Sequence, residues 1–208
     1  MASGQDQPSQ AQDKKRIGLL GGSFDPVHRA HIELAKTARD HLNLDEVQLL
    51  PAKQPWQKPN LAASTQDRLA MLKLAIAHEP GLTVNPTELD RPGKTYTLDT
   101  LNVLPQNHQY FWLLGADQLA NFPTWHGWQA IAKRVTLAVA QRPGTELQVP
   151  DPLQHEIDAG HAQVVTLPFE PMAISSSQLR QSLEQHDPVA HWLDPAVSDY
   201  IDKHRLYR

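Results

Sequence analysis

The chain contains no cysteine. This excludes disulfides, thiolate zinc sites and a cysteine nucleophile. No apolar run approaches the ~20 residues needed to cross a bilayer. No basic segment followed by an apolar one marks a secretory signal. These absences predict a cytoplasmic protein with no membrane partner. Positive charge is also scarce: 19 Lys and Arg stand against 23 Asp and Glu, for a formal net charge of −4 at pH 7. That argues against a nucleic-acid partner. An anionic ligand would have to be met by local cations, not by the global field. Two common nucleotide signatures, G-x-x-x-x-G-K-[ST] and G-x-G-x-x-G, do not occur.

The 208 residues, 40% of them hydrophobic, can bury a sizeable core. The polar stretch 1–13 (MASGQDQPSQAQD) has no apolar face and predicts a disordered tail. Residues 14–208 then predict one domain. Apolar runs at 17–20, 47–50, 82–84, 110–114, 135–140 and 163–167 predict strands. Helical periodicity between them predicts an α/β fold: a Rossmann-like, doubly wound parallel sheet with right-handed crossovers. A small C-terminal helical subregion follows, with helices predicted from Ser175, over 188–193 and over 195–204. Residues 144–162 predict irregular chain with room for a short helix.

The most informative stretch is RIGLLGGSFDPVHRAHIE, residues 16–33. An apolar strand runs into Gly21-Gly22-Ser23, which tolerate a tight turn, and Asp25-Pro26 set up a helix start. Strand, glycine turn and helix form half a βαβ unit with an anion site at the helix N-terminus. His28 and His31 are three apart and share one face of the first turn. Two histidines alone would describe an ordinary solvated helix start; the eight-residue context after a buried strand points to a phosphate site.

Three further segments leave predicted strands at their carboxyl ends, where open α/β sheets bind ligands. The first is the proline-rich loop 51–63 with Lys53 and Lys58. The second is Gly115-Ala116-Asp117. The third is Ile174-Ser175-Ser176-Ser177-Gln178-Leu179-Arg180, whose serines offer hydroxyls and free N–H groups and whose Arg180 offers a planar fork for phosphate. The aromatic stretch 121–128 could face a flat heterocycle or plug the core.

Gly22 to His31 resembles the G-x-F-D-P-x-H-x-G-H signature of the nucleotidylyltransferase superfamily, with Ala30 in place of a glycine. Ile174 to Arg180 is similar to its I-S-S-T-x-I-R motif. Gly115-Ala116-Asp117, Phe122-Pro123-Thr124-Trp125, Arg142-Pro143-Gly144, Lys94-Thr95-Tyr96-Thr97 and the ending Leu206-Tyr207-Arg208 resemble one branch, the bacterial nicotinate-nucleotide adenylyltransferases. The resemblance covers essentially residues 16–208. Two departures stand out: Pro55-Trp56-Gln57-Lys58 lacks the histidine of the family loop, and His126 replaces a common tyrosine.

The resemblance implies adenylyl transfer from ATP to nicotinate mononucleotide, giving the dinucleotide and pyrophosphate in NAD biosynthesis, with Mg²⁺ brought by ATP and no dedicated protein metal site. It implies His28, His31 and Arg180 as catalytic residues. ATP would meet Gly21, Gly22, Ser23, Phe24, His28, His31, Gly115, Asp117, Arg142, Ile174, Ser175, Ser176 and Arg180. The mononucleotide would meet Ser23, Phe24, Lys53, Lys58, Thr95, Tyr96, Trp125 and His126, with Trp125 stacked on the pyridine ring and Thr95 near its carboxylate. The C-terminal helices 174–208 would close the nucleotide site, and a homo-oligomer is allowed. Two other readings compete: a pantetheine-phosphate or FAD-forming transferase of the same fold, and a nucleotide-sensing module without turnover.

Overall fold

The structure is a computed structural model that describes residues 14–55, 61–91, 93–170 and 172–208. Six strands form one sheet: β1 (Arg16–Gly22), β2 (Glu46–Pro51), β3 (Leu82–Val84), β4 (Gln109–Gly115), β5 (Val135–Gln141) and β6 (Gln163–Pro168). Their spatial order is β3-β2-β1-β4-β5-β6. Every pairing is parallel. The helices are α1 (Arg29–His41), α2 (Thr65–Ala75), α3 (Thr97–Val103), α4 (Ala116–Asn121), α5 (Trp128–Ala132), α6 (Asp151–Asp158), α7 (Ser176–Glu184) and α8 (Pro195–His204). The doubly wound α/β fold predicted from the sequence is the fold observed.

Strand alternation divides the core in two. Leu20, Val47, Leu49, Phe111, Leu113 and Ala138 pack with Ile32 and Ala35 of α1, Met71 and Leu72 of α2, Leu179 of α7 and Ile201 of α8. Ile17, Leu19, Trp112, Leu114, Leu137 and Val139 pack on the other face with Leu101, Leu119, Ile131 and Leu153. Successive residues of a strand point to opposite faces, so a sheet covered on both sides needs near-continuous apolar strands. That is why the runs at 110–114 and 135–140 were so plain.

The chain winds outward from β1 through β2 to β3, and outward the other way from β4 through β5 to β6. β1 and β4 lie side by side at the reversal. A crevice opens there beyond their carboxyl ends, because the connections leave in opposite directions. The ends at that point are Gly21-Gly22 and Gly115.

One prediction is corrected. Residues 188–193 are not a helix. Their backbone is committed elsewhere: the Trp192 carbonyl accepts from the Arg29 N–H at 2.8 Å, and the Trp192 N–H donates to Val189 at 2.8 Å. Val189 and Leu193 anchor this turn in the core. Within the aromatic stretch 121–128, Phe122–Thr124 form a 3₁₀ turn that leads to α5. The irregular reach 144–162 does hold a helix, α6, fixed by fully buried Leu153. The predicted tail, residues 1–13, lies outside the described residues.

Leu153 is the apolar anchor of α6, so Leu153→Ala should cost about 2–5 kcal/mol. Urea denaturation at pH 7 measures it. A loss below about 1 kcal/mol would mean that α6 is not packed as described.

Candidate active site

The turn after β1 is held from several sides at once. Phe24 takes a left-handed backbone conformation, φ 48°, costly for a bulky residue, and its ring is fully buried. The ring lies under Gly22: a Cβ there would approach it to 3.0 Å. The Asp25 carboxylate is also buried. Its Oδ2 accepts from the Ala62 N–H at 2.7 Å, and its Oδ1 accepts from the Ala63 N–H at 3.0 Å and the Tyr207 hydroxyl at 2.8 Å. The Arg68 guanidinium, with no solvent exposure, donates to the Ser23 carbonyl at 2.7 Å. Burial presses the Arg68 pKa down and the Asp25 charge offsets this. Burial and the Asp25 charge push the Tyr207 phenol well above its ordinary range, so it stays a donor.

The helix α7 is tied to the same turn. The Arg180 Nη1 donates to the Asp25 carbonyl at 2.7 Å, and the Ser176 hydroxyl donates to the Pro26 carbonyl at 3.0 Å. Ser175 caps α7 by accepting from the Gln178 N–H at 3.2 Å.

His28 is the N-cap of α1. The His31 Nδ1 accepts from the His28 N–H at 3.2 Å, which leaves Nε2 as the proton-bearing nitrogen of a neutral His31 ring. The two rings lie 3.7 Å apart between centroids. His28 is buried and its Nδ1 has no hydrogen-bond partner among the described residues. Desolvation lowers its pKa to about 4, so it is neutral at pH 7. Two imidazolium rings stacked this closely would repel, so a neutral His28 relieves the pair.

Two cavities open at the crevice. One, about 700 Å³, is lined by His28, His31, Asp117, Arg142, Ser175 and Ser176 among others. Ala30, Gly115 and Ile174 also line it. The second, about 360 Å³, is lined by Gly21, Gly22, Ser23, Thr95, Trp125 and Glu88 among others. His31, Leu34 and Gly115 line both, so the two cavities meet at the histidine and at the end of β4. A side chain on Gly115 would crowd that junction and would approach the Asp117 Oδ1 to 2.6 Å.

Several expected residues sit elsewhere. The Phe24 ring is in the core, so only its backbone can reach a ligand. Arg180 lines neither cavity; its fork is on Asp25 and Ser177. Tyr96 and His126 pack on each other at 5.0 Å, outside both linings. Lys53 is half-buried and also outside both. Gly21, Gly22 and Ser23, expected at ATP, line the smaller cavity. Lys58 lies outside the described residues. Among the described residues, no group of three His, Asp or Glu is arranged to hold a metal ion.

Sequence reasoning missed Glu88, Gln118, Thr97 and Trp112 in the smaller cavity. It also missed the Asp25–Arg68–Tyr207 support. One signal was available: Arg68 interrupts the apolar stripe of α2, and a charge on such a stripe needs a buried partner.

Comparison with known proteins agrees with this geometry. The family model described as cytidylyltransferase-like matches residues 19–182. A relative in Bordetella avium, named "Probable nicotinate-nucleotide adenylyltransferase", is 54% identical over 195 residues, covering 93% of this chain and 98% of the relative. A relative of the same name in Laribacter hongkongensis is 43% identical over 207 residues, covering 92% and 94%. In structure, the chain is similar to the Plasmodium falciparum nicotinic acid mononucleotide adenylyltransferase complexed with NaAD. The TM-score is 0.73 at 20% identity, covering 93% of this chain and 97% of that one. The chain belongs to the cytidylyltransferase-like family and, within it, to the nicotinate-nucleotide adenylyltransferases.

The buried neutral His28 sets a sign for acid stability. The folded chain binds this proton only near pH 4, whereas the unfolded chain binds it near 6.5. Stability therefore falls as pH drops from 6.5 toward 4. The contribution approaches about 1.4 kcal/mol per pH unit for one proton. His28→Gln should flatten the curve by that amount in urea titrations at pH 7, 6 and 5. Parallel curves would show that His28 titrates in the folded chain as it does in the unfolded one.

Proposed function

We propose that the chain transfers the adenylyl group of ATP to nicotinate mononucleotide, releasing pyrophosphate and forming nicotinate adenine dinucleotide in the cytoplasm. The observation that carries this is the pair of cavities joined at His31 and Gly115. The relatives' names supply the substrate class.

In this reading ATP occupies the larger cavity. Its adenosine lies toward Gly115, Asp117 and Arg142. Its triphosphate lies toward His28, His31 and the start of α7, where Ser176 and the unpaired N–H groups of the first turn point at anions. The mononucleotide occupies the smaller cavity, its ring against Trp125 and its carboxylate toward Thr95 and neighbouring N–H groups. Its phosphate then lies at the junction. A phosphate oxygen attacks the α-phosphorus in line, and the bond from that phosphorus to the β-phosphate oxygen breaks. Pyrophosphate leaves with that electron pair, and no covalent enzyme intermediate forms.

No protein nucleophile is needed, so catalysis is alignment plus stabilisation of charge. His31 presents its Nε2–H at the junction and would stabilise the transferring group. His28 would gain a partner for its ring when the triphosphate arrives. Mg²⁺ enters as part of the substrate, on the triphosphate. Arg180 would hold the turn and, with a change of side-chain conformation, a phosphate oxygen. Lys53 and Lys58 would meet phosphate oxygens of the mononucleotide. Residues 14–208 act as one domain in this reading, with residues from 174 onward closing the nucleotide side.

Purified protein with ATP, Mg²⁺ and nicotinate mononucleotide should release pyrophosphate only when the mononucleotide is present. No release from folded, ATP-binding protein would reject this acceptor.

His31→Ala should lower kcat about 10²-fold, or about 2.7 kcal/mol of transition-state stabilisation. Near-wild-type turnover would return His31 to a capping role.

A further inference from the structure

Glu88 contributes the only carboxyl among the residues lining the smaller cavity. It is 4% exposed. A bare carboxylate beside the subsite of an acidic ring would oppose binding, and desolvation alone would make it costly. The structure provides a device against both. The Thr100 hydroxyl, itself fully buried, donates to the Glu88 Oε1 at 2.6 Å. The Arg91 Nη2 donates to that same hydroxyl oxygen at 2.6 Å. One hydroxyl thus links a guanidinium to the carboxyl in a three-member chain. Burial raises the Glu88 pKa, and the Thr100 bond and the Arg91 charge oppose the rise. With Glu88 as the carboxylate, Arg91 brings the pair to a net charge of zero. The segment Thr95 to Thr97, between Arg91 and Thr100 in sequence, lines the same cavity with two of its residues.

We propose that Glu88, Thr100 and Arg91 form a charge-compensated wall of the mononucleotide subsite that sets its preference between an acidic and a neutral pyridine ring. Glu88 is the specificity-determining residue at the lining. Arg91 and Thr100 are positioning residues that act through it. Removing Arg91 leaves the Glu88 carboxylate uncompensated and makes the wall one unit more negative. That penalises a ring carboxylate and leaves a ring amide nearly unaffected. Removing the Glu88 charge does the reverse. This rests on the assignment of the smaller cavity to the mononucleotide.

The test measures equilibrium binding of nicotinate mononucleotide and nicotinamide mononucleotide by quenching of tryptophan fluorescence, because Trp112 and Trp125 line the cavity. Steady-state kinetics with both are run beside it. Arg91→Ala should weaken binding of the acid about 10-fold, with less than 2-fold change for the amide and for the KM of ATP. Arg91→Ala/Glu88→Gln should recover the acid to within about 3-fold of wild type. Equal losses for both mononucleotides, or no recovery in the double variant, would overturn the wall and make Arg91 a structural residue. Glu88→Gln alone serves if Arg91→Ala does not fold: the acid-to-amide affinity ratio should rise, and an unchanged ratio overturns the proposal. Binding that follows these shifts without pyrophosphate release would uphold the wall while rejecting the transfer reaction. No binding of the acid by wild-type protein would reject both.

Discussion

The Asp25 carboxylate is the constraint on which the site depends. A buried negative charge is tolerable only when its lone pairs are filled and an opposite charge is near. Two backbone N–H groups and the Tyr207 hydroxyl fill them. Arg68, just as buried, supplies the charge. The consequence is geometric. Asp25 joins the turn after β1, the end of the loop before α2 and the last residues of the chain at one point. The Arg180 fork adds α7 to the same point. Four segments far apart in sequence therefore share one register, and His28 and His31 inherit it. Removing any one partner would leave the others with an unpaired buried group, which is more costly than any single bond is stabilising.

Sheet topology supplies the rest. Parallel strands direct their carboxyl ends to one edge, and the reversal between β1 and β4 keeps the edge open at one place. The two cavities flank that place. A reaction between two anionic nucleotides needs such an arrangement: separate seats for the large groups and a shared position for the reacting phosphorus. Glycine at the end of β4 keeps the shared position narrow but unobstructed.

Much of this was legible in the sequence, and the reason is local. Doubly covered strands must be apolar throughout, so the five longer strands announced themselves, and glycine turns marked where ligands approach. The serine-capped α7 was legible because capping chemistry lies within four residues. What stayed hidden depends on distant partners. Asp25 read as a helix-start residue because its partners lie 37, 38 and 182 positions away. Glu88 was missed because its partner is a threonine on α3. The turn at 188–193 carried a helical pattern, and a hydrogen bond to Arg29 overrode it. The placements of Phe24, Tyr96 and His126 away from the cavities also turn on side-chain packing that no short motif encodes.

The charge arrangement reconciles an acidic chain with anionic ligands. The net charge of −4 provides no attraction, so in the proposed reaction recognition falls to Arg142 at the larger cavity and to groups that bear positive potential without a full charge. Neutral His28, the His31 Nε2–H, the N-terminus of α7 and the turn N–H groups are such groups. In water they would be weak; in a crevice partly shielded from solvent their dipoles act with little screening. In the proposed transfer, fixed dipoles would also need no reorganisation as charge shifts from the α-phosphorus to pyrophosphate. Two full cations, Arg68 and Arg180, are turned inward and hold the turn that carries the histidines. Arg68 and Arg180 thus build the site, and in the proposed reaction Arg142 and the weaker dipoles face its contents.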